Sequence, residues 1–286
     1  MKRLVMAALF LAASALPTVA QSLEKAWEAT GFANPESVVW DADRKVIYVS
    51  NVNGADSDKD GNGYISTLSA DGRLLAGKWL AGLDGPKGMA VHKGRLYIAD
   101  IDRLVVVDTA TARLVKTYPA ADARFLGDVT VDDRGIVYVS DMRGDAIWRL
   151  AEGHFDKWLA DSQLQSPNGL KAERERLVVA SWGPLTGEGL GVKSPGRLKV
   201  VSLKDRLIRD LSPDLGNLAG VEADGRGGYL VSDYVKGLVF SVDRAGNPKA
   251  ILKLSQGSAD IGTIPERKLL LVPMMMDGKV AAYRLP

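Results

Sequence analysis

The sequence has no cysteine and only two histidines among its 286 residues. Without cysteine the chain cannot form disulfides, so an exported protein of this sequence must hold together by core burial alone. His92 and His154 both stand in short turn sequences that are typical of hairpin tips. Serine and cysteine catalysis that depends on a histidine, and a histidine-rich zinc site, are therefore disfavoured for lack of residues.

Long apolar runs are also scarce. The run from Leu4 to Leu16 follows Lys2 and Arg3 and precedes the small residues of Thr18-Val19-Ala20. It is shorter than the roughly 20 residues that span a bilayer, so it predicts a signal peptide over residues 1–20 rather than a membrane anchor. We expect a periplasmic or secreted protein that starts at Gln21 and has no membrane attachment after cleavage.

Excess charge of either sign is missing from the expected mature chain. Without Lys2 and Arg3 it has 35 basic and 35 acidic residues, and no long basic run. Nucleic acids and anionic membranes are therefore poor candidates for partners. A small-molecule substrate or ligand is the expected partner, and the oligomeric state is left open.

What the sequence does have is one pattern six times over, in which a turn leads into alternating apolar residues and then a β-rich triplet. The copies begin at Pro35-Glu36-Ser37-Val38, Pro86-Lys87-Gly88-Met89, Leu126-Gly127-Asp128-Val129, Pro167-Asn168-Gly169-Leu170, Leu218-Ala219-Gly220-Val221 and Ser258-Ala259-Asp260-Ile261. A strand-and-turn repeat of about 40 to 50 residues is typical of a β-propeller. We predict an all-β, six-bladed propeller over residues 21–286, closed by its N-terminal segment, and a short helical lead-in over Gln21 to Thr30.

Two of the repeats are longer than the others. The first contains an insertion from Val52 to Tyr64, and the fourth contains one from Trp182 to Arg197. Loops of this length on a compact scaffold often cover a site. The alternative is a solvent-exposed insertion without a role.

Residues at equivalent places in the repeats should meet at one mouth of the central channel. The second residues of the six copies are Glu36, Lys87, Gly127, Asn168, Ala219 and Ala259, and the third residues are Ser37, Gly88, Asp128, Gly169, Gly220 and Asp260. Side chains alternate along a strand, so the strand phase decides which set faces the channel, and the sequence leaves that phase open.

Glu36 and Asn168 form the most informative pair, because a carboxylate and an amide oxygen are the hard ligands that calcium accepts. Asp128 and Asp260 could add negative charge nearby. The alternative is that Asn168-Gly169 is a turn dipeptide and that Glu36 pairs with Lys87.

A second possible calcium loop contains Asp56, Asp58 and Asp60, followed by Gly61. Acidic residues at alternate positions before a glycine match the first half of a calcium-binding loop, but Thr67 stands where the last ligand, a glutamate, is expected. A solvated acidic turn is the alternative. Asp100, Asp141 and Asp233, which end three of the β-rich triplets, are interpreted as residues that organise the next turn by accepting backbone N–H bonds.

The chain resembles the regucalcin/gluconolactonase (senescence marker protein-like) family of six-bladed β-propellers, in an exported bacterial form. The resemblance rests on Pro35-Glu36-Ser37-Val38-Val39-Trp40, Phe125 to Asp132, Ser166-Pro167-Asn168-Gly169-Leu170 and Leu218-Ala219-Gly220-Val221. It implies one divalent ion, calcium or zinc, in the channel and hydrolysis of lactones. Glu36 and Asn168 match the family's metal-binding glutamate and asparagine. The ion would polarise the lactone carbonyl, and a carboxylate would take the proton of the attacking water.

The chain departs from the family pattern at two places. Ala219 replaces a metal-binding aspartate that is also credited as the base, and Gly127 replaces a channel asparagine. Asp128 or Asp260 is then the candidate catalytic base. The favoured hypothesis is a metal-dependent, lactonase-like hydrolase that acts on a small lactone or ester. The alternative is a non-catalytic propeller that binds a protein partner or a small ligand at the same mouth.

Overall fold

The computed structural model describes residues 23–187 and 189–286, so the predicted signal peptide lies outside the described residues. Among these residues no helix has the length and apolar character needed to cross a membrane. The only helical pieces in this part of the chain are two single 3₁₀ turns, Ser162–Leu164 and Pro265–Arg267. The predicted all-β class is confirmed.

Within the described residues, 24 strands form six antiparallel sheets of four strands each. The chain starts with β1 (Lys25–Thr30) and continues into the first blade, β2 (Pro35–Asp41), β3 (Val46–Asn51), β4 (Gly63–Ser69) and β5 (Leu74–Leu83). The second blade contains β6 (Pro86–His92), β7 (Arg95–Asp100), β8 (Arg103–Asp108) and β9 (Arg113–Pro119). The third contains β10 (Leu126–Val131), β11 (Val137–Asp141), β12 (Ala146–Ala151) and β13 (His154–Ala160).

The remaining blades repeat this order. The fourth contains β14 (Pro167–Ala172), β15 (Arg176–Ser181), β16 (Leu198–Ser202) and β17 (Ile208–Asp210). The fifth contains β18 (Leu218–Ala223), β19 (Tyr229–Asp233), β20 (Leu238–Val242) and β21 (Pro248–Lys253). The last contains β22 (Gly262–Ile264), β23 (Leu269–Met274) and β24 (Lys279–Arg284), and its fourth strand is β1.

The N-terminal segment completes the last blade, as predicted, but the helical lead-in was wrong. Lys25–Thr30 is a strand that pairs antiparallel with β24, with Thr30 opposite Lys279. The outer edge of β24 offers unpaired backbone groups, and pairing with β1 satisfies them. Trp27 fixes the strand further by donating its indole N–H to the Ala70 carbonyl at 3.1 Å. Pairing with β24 therefore overrides the helical conformation that the sequence of this segment predicts.

The apolar core lies between adjacent blades. Each of six buried clusters joins residues of two neighbouring sheets. In one of them, Ala99 of the second blade packs with Leu126 and Trp148 of the third. Because every sheet buries both faces against its neighbours, the middle of the ring is left as a channel lined by the inner strands.

The aspartates that end three β-rich triplets act as predicted. Asp141 accepts the backbone N–H groups of Arg124, Phe125 and Gly144. Asp100 accepts those of Asp84 and Gly85 in the same way. Their carboxylates fix the turns that enter the inner strands, so these residues build the channel wall.

Candidate active site

A β-bulge at the start of the inner strands decides where the second residues point. Pairing shifts register in five of the six, for example between Pro35 and Val38. In three blades a serine of the β-rich triplet accepts the N–H of the third residue: Ser50 from Ser37 at 2.9 Å, Ser140 from Asp128 at 2.8 Å and Ser232 from Gly220 at 2.8 Å. Sequence reasoning missed these serines, although their recurrence was visible.

Glycine at the third position allows neighbouring inner strands to approach closely. A Cβ atom on Gly88 would lie 2.3 Å from the Asp128 Cα, and one on Gly220 would lie 2.4 Å from the Asp260 Oδ1. Two blades therefore present an aspartate at this position directly against the glycine of the preceding blade.

The strand phase separates the two predicted sets of residues. Four second-position residues, Glu36, Lys87, Asn168 and Ala219, line a pocket of about 90 Å³ that we call the mouth pocket. Asp128 and Asp260, from the third position, line a different space of about 360 Å³, the lower cavity. The structure thus brings Glu36 and Asn168 together and does not bring Asp128 or Asp260 into the lining of their pocket.

Glu36 is the mouth-pocket residue whose carboxyl group has a buried oxygen atom without a hydrogen-bond partner. Its Oε2 atom is shielded from solvent and has no hydrogen-bond partner. Burial raises the pKa of the Glu36 carboxyl to about 8, with the negative charge of Asp260 adding to the effect and the ammonium of Lys87 opposing it. Such a group exchanges a proton near neutral pH.

Lys87 is a buried cation in the same pocket. Its Nζ donates to the Asp56 carbonyl at 2.8 Å and to the Gly85 carbonyl at 3.0 Å, and it lies 4.5 Å from the centre of the Phe125 ring. Burial lowers the Lys87 pKa, while the charge of Glu36 opposes that shift. No ion pair within 4.0 Å joins Lys87 to Glu36 in the described part of the chain. The electrostatic interaction between Lys87 and Glu36 therefore acts through space rather than through a salt bridge.

Asn168 lies inside strand β14, so it is not part of a turn dipeptide. Its Nδ2 donates to the Leu218 carbonyl at 3.2 Å. Its Oδ1 faces Gly127, where an added Cβ would lie only 3.1 Å away. The Asn168 amide thus occupies the space beside Gly127 into which a larger side chain would extend.

Both insertions contribute to the mouth pocket. The first supplies Val52 and Asp56, and the second supplies Trp182 and Leu190. The indole N–H of Trp182 donates to the Leu190 carbonyl at 3.0 Å, which fixes the second insertion over the site. Each insertion thus lines the pocket that contains Glu36, and its role in covering a functional site stays a prediction.

The residues of the possible calcium loop point in different directions. Asp56 lines the mouth pocket, whereas Asp60 accepts the backbone N–H of Asn62 at 3.1 Å. Across residues 23–187 and 189–286, no group of three or more His, Asp or Glu side chains is arranged to hold a metal ion. In this part of the chain, neither the loop nor the surroundings of Glu36 and Asn168 has three carboxylate or imidazole ligands, so an ion at Glu36 would need amide and carbonyl oxygens to complete its coordination. The ion itself stays a prediction.

The lower cavity contains two carboxyl groups, those of Asp128 and Asp260, that already accept hydrogen bonds from the protein. Asp128 accepts the N–H groups of Leu170 at 2.7 Å and Val129 at 2.6 Å, and the Asp260 Oδ2 accepts the hydroxyl of Ser37 at 2.7 Å. Burial raises the pKa of Asp260 to about 7 and that of Asp128 well above its ordinary value, with the charge of Asp260 adding to the shift of Asp128.

Comparison with known proteins supports the fold. No protein-family model matches the chain, and no curated protein matches its sequence. Among solved structures, a gluconolactonase from Xanthomonas campestris superposes with a TM-score of 0.67 and 16% identity, covering 93% of this chain and 88% of the other. A streptogramin B lyase gives a TM-score of 0.63 and 10% identity, covering 92% and 97%.

A third solved structure, a virginiamycin B lyase from Staphylococcus aureus, gives a TM-score of 0.60 and 10% identity, with 87% of this chain and 80% of the other covered. The similarity to all three extends over nearly the whole described chain. At these identities the similarity shows the fold alone, and the six blades of this chain follow from its own sheets.

Proposed function

We propose that the protein is a lactonase-like hydrolase that opens a small lactone or ester in the mouth pocket by acid–base catalysis. The observation that carries the proposal is the Glu36 carboxyl, whose Oε2 has no hydrogen-bond partner inside a pocket that also contains the Lys87 ammonium. A titrating carboxyl without a structural partner is suited to proton transfer. The fold of the gluconolactonase from Xanthomonas campestris is consistent with this class of reaction.

The chemistry needs two groups from the chain. Glu36 as a carboxylate takes a proton from water while the water oxygen bonds to the carbonyl carbon of the substrate. Lys87 stabilises the oxyanion that forms on the carbonyl oxygen. The carbon–oxygen bond of the ring or ester then breaks, and the proton held by Glu36 passes to the leaving alkoxide, which yields a hydroxy acid or an acid and an alcohol.

The decisive experiment compares Glu36→Gln with Glu152→Gln, a control at an exposed hairpin tip. Hydrolysis of simple lactones and aryl esters is followed in a pH-stat, with and without EDTA. We expect Glu36→Gln to lose activity and Glu152→Gln to keep it. Equal activity of both variants would contradict the assignment of Glu36.

The predicted metal is tested in the same preparation. Calcium and zinc are titrated by calorimetry into the chelator-treated parent, into Glu36→Ala and into a variant with Asp56, Asp58 and Asp60 all changed to alanine. Binding lost only in Glu36→Ala would place an ion at Glu36 and Asn168. Binding lost only in the triple variant would place it in the loop, and EDTA-resistant hydrolysis would support the metal-free route.

The second candidate function is a non-catalytic propeller that binds a small ligand or a protein at the same mouth. It is favoured by Ala219 and Gly127, which remove two polar side chains from this end of the channel. Ligand-dependent stabilisation without hydrolysis of any lactone or ester would support it over the hydrolase.

We also propose export of the protein to the periplasm or the medium. The proposal rests on the leader-like sequence of residues 1–20. N-terminal sequencing of the protein from the host should give Gln21, and recovery with Met1 from the cytoplasm would contradict it.

A further inference from the structure

Several polar groups of the mouth pocket are engaged by the protein itself. The Lys87 ammonium donates two of its three N–H groups to the carbonyls of Asp56 and Gly85. The Asn168 Nδ2 donates a hydrogen bond to the Leu218 carbonyl. The indole N–H of Trp182 is bonded to Leu190. A ligand therefore finds the Glu36 carboxyl and the remaining N–H of Lys87, with Asp56, Asn168 and Tyr234 as the other polar side chains of the lining.

Most of the remaining pocket lining is apolar. Aromatic and aliphatic side chains form its walls, namely Phe125, Met142, Trp182, Leu190, Tyr234 and Met275. Even the Tyr234 hydroxyl faces a soft partner, the Met275 sulfur at 3.6 Å. Leu190 is 41% exposed, so the apolar lining continues from the pocket to the surface along the second insertion.

The size of the pocket limits what can be enclosed. Its volume of about 90 Å³ is a quarter of that of the lower cavity. We expect the reacting ester group to lie beside Glu36 and Lys87 and a larger substituent to extend along the exposed Leu190.

We infer that the substrate is a lactone or ester with a single polar group and an apolar alkyl or aryl arm, rather than a polyhydroxylated sugar lactone. This inference rests on the proposed function and adds the substrate class. A sugar lactone would bring several hydroxyls against a lining that is mostly apolar, and each hydroxyl left without a hydrogen-bond partner weakens binding by roughly five-fold or more. An alkyl arm instead gains about four-fold in affinity for every methylene that it buries.

The test uses γ-lactones with butyl, hexyl and octyl arms, and glucono-δ-lactone as the polyhydroxylated probe. Dissociation constants are measured by calorimetry on the full mature chain at pH 6, where Glu36 is protonated and turnover is slow, and hydrolysis is measured at pH 8.5. We expect affinity to increase about four-fold per methylene until the arm leaves the protein. Glucono-δ-lactone should bind at least 100-fold more weakly than the octyl lactone.

Two matched pairs of variants test where the alkyl arm of the ligand lies on the protein. Met275→Ser and Leu190→Ser change the pocket lining, whereas Met276→Ser and Leu207→Ser change exposed residues outside it. The first pair should flatten the dependence on arm length, and the second pair should leave it unchanged. Because the exposed Leu190 tolerates substitution more readily than a core residue, it keeps the test valid if Met275→Ser fails to fold.

The outcomes separate this inference from the proposed function. Binding that depends on arm length, without hydrolysis of any lactone, would overturn the hydrolase and keep the ligand class. Hydrolysis of glucono-δ-lactone that requires Glu36 and exceeds that of the alkyl lactones would keep the hydrolase and overturn the ligand class. An arm-length dependence that survives both lining variants would also overturn it.

Discussion

The two ends of the channel are built from the same repeated strand, yet they differ in chemistry. The mouth pocket is small, walled by aromatic and aliphatic side chains, and contains Glu36 with an unpartnered oxygen. The lower cavity is about four times larger and contains Asp128, Asp260 and the Lys171–Glu222 ion pair. Both ends therefore have buried carboxyl groups, but only the pair in the lower cavity has its hydrogen bonds satisfied.

The difference shows how one scaffold separates structural from reactive carboxyls. Asp128 and Asp260 each accept bonds from groups on neighbouring inner strands, such as Leu170 N and the Ser37 hydroxyl. A carboxyl that accepts a hydrogen bond from the neighbouring inner strand links two adjacent blades. The Glu36 Oε2 accepts no hydrogen bond from the protein, so the carboxyl group can exchange its proton with a ligand or with water.

The largest expected effect comes from neutralising one carboxyl at each end. Glu36→Gln should reduce kcat for lactone or ester hydrolysis by about 100-fold or more, the usual contribution of a general base. Asp260→Asn should change kcat by less than about 10-fold, since it acts on Glu36 only through its charge. A larger loss in Asp260→Asn than in Glu36→Gln would move the reaction to the lower cavity.

The next effect tests the glycines that let the inner strands approach. Gly88→Ala should destabilise the fold by about 2–3 kcal/mol, because its Cβ would overlap the Asp128 backbone. Gly77→Ala is the control, since an added Cβ there meets nothing within 4 Å. Urea unfolding measures both. Equal midpoints would contradict the close approach.

The pH dependence of stability separates buried from exposed carboxyls. The Asp260 pKa is about 7 in the fold against an ordinary value of 3.8, so the native state holds this proton more tightly. Its contribution is intact below about pH 4 and is lost as the pH rises to 7. Asp260→Asn should therefore become more stable than the parent by about 2 kcal/mol at pH 9.

Urea midpoints at pH 5, 7 and 9 measure this effect. Asp243→Asn is the control, because bonds from Asn247 lower the pKa of this exposed carboxyl and it titrates below the tested range. It should leave the slope between pH 5 and 9 unchanged. A parent protein that gains stability from pH 5 to 9 would contradict the raised carboxyl pKa values.

The smallest expected change, a shift in pH rather than in rate, concerns the charge beside Glu36. The Lys87 ammonium lowers the Glu36 pKa, so the activity that remains in Lys87→Met after loss of the oxyanion contact should have its rising limb about one pH unit above the parent position near pH 8. Lys171→Met, in the lower cavity, should leave that limb in place. Identical profiles in both variants would show that Lys87 does not act on the base.

Much of the fold could be predicted from the repeat itself. Six copies of one strand pattern predict six blades, and the residues left at the two ends predict closure by the N-terminal segment. The helical lead-in was wrong because Lys25–Thr30 has weak local preferences and pairs with the free edge of β24. The convergence of Glu36, Lys87 and Asn168 was also predictable, since equivalent positions in a ring of blades lie at one level of the channel.

The sequence by itself determined the architecture, the shortage of histidine and cysteine chemistry, and the set of residues that could meet at a channel mouth. Only the tertiary structure decided the strand phase, because bulges after the first residue of the inner strands turn Glu36 and Asp128 toward different ends. It also decided which groups are buried without a partner. A pKa near 8 for Glu36 arises from packing by distant segments, including the two insertions, and no local sequence signal contains it.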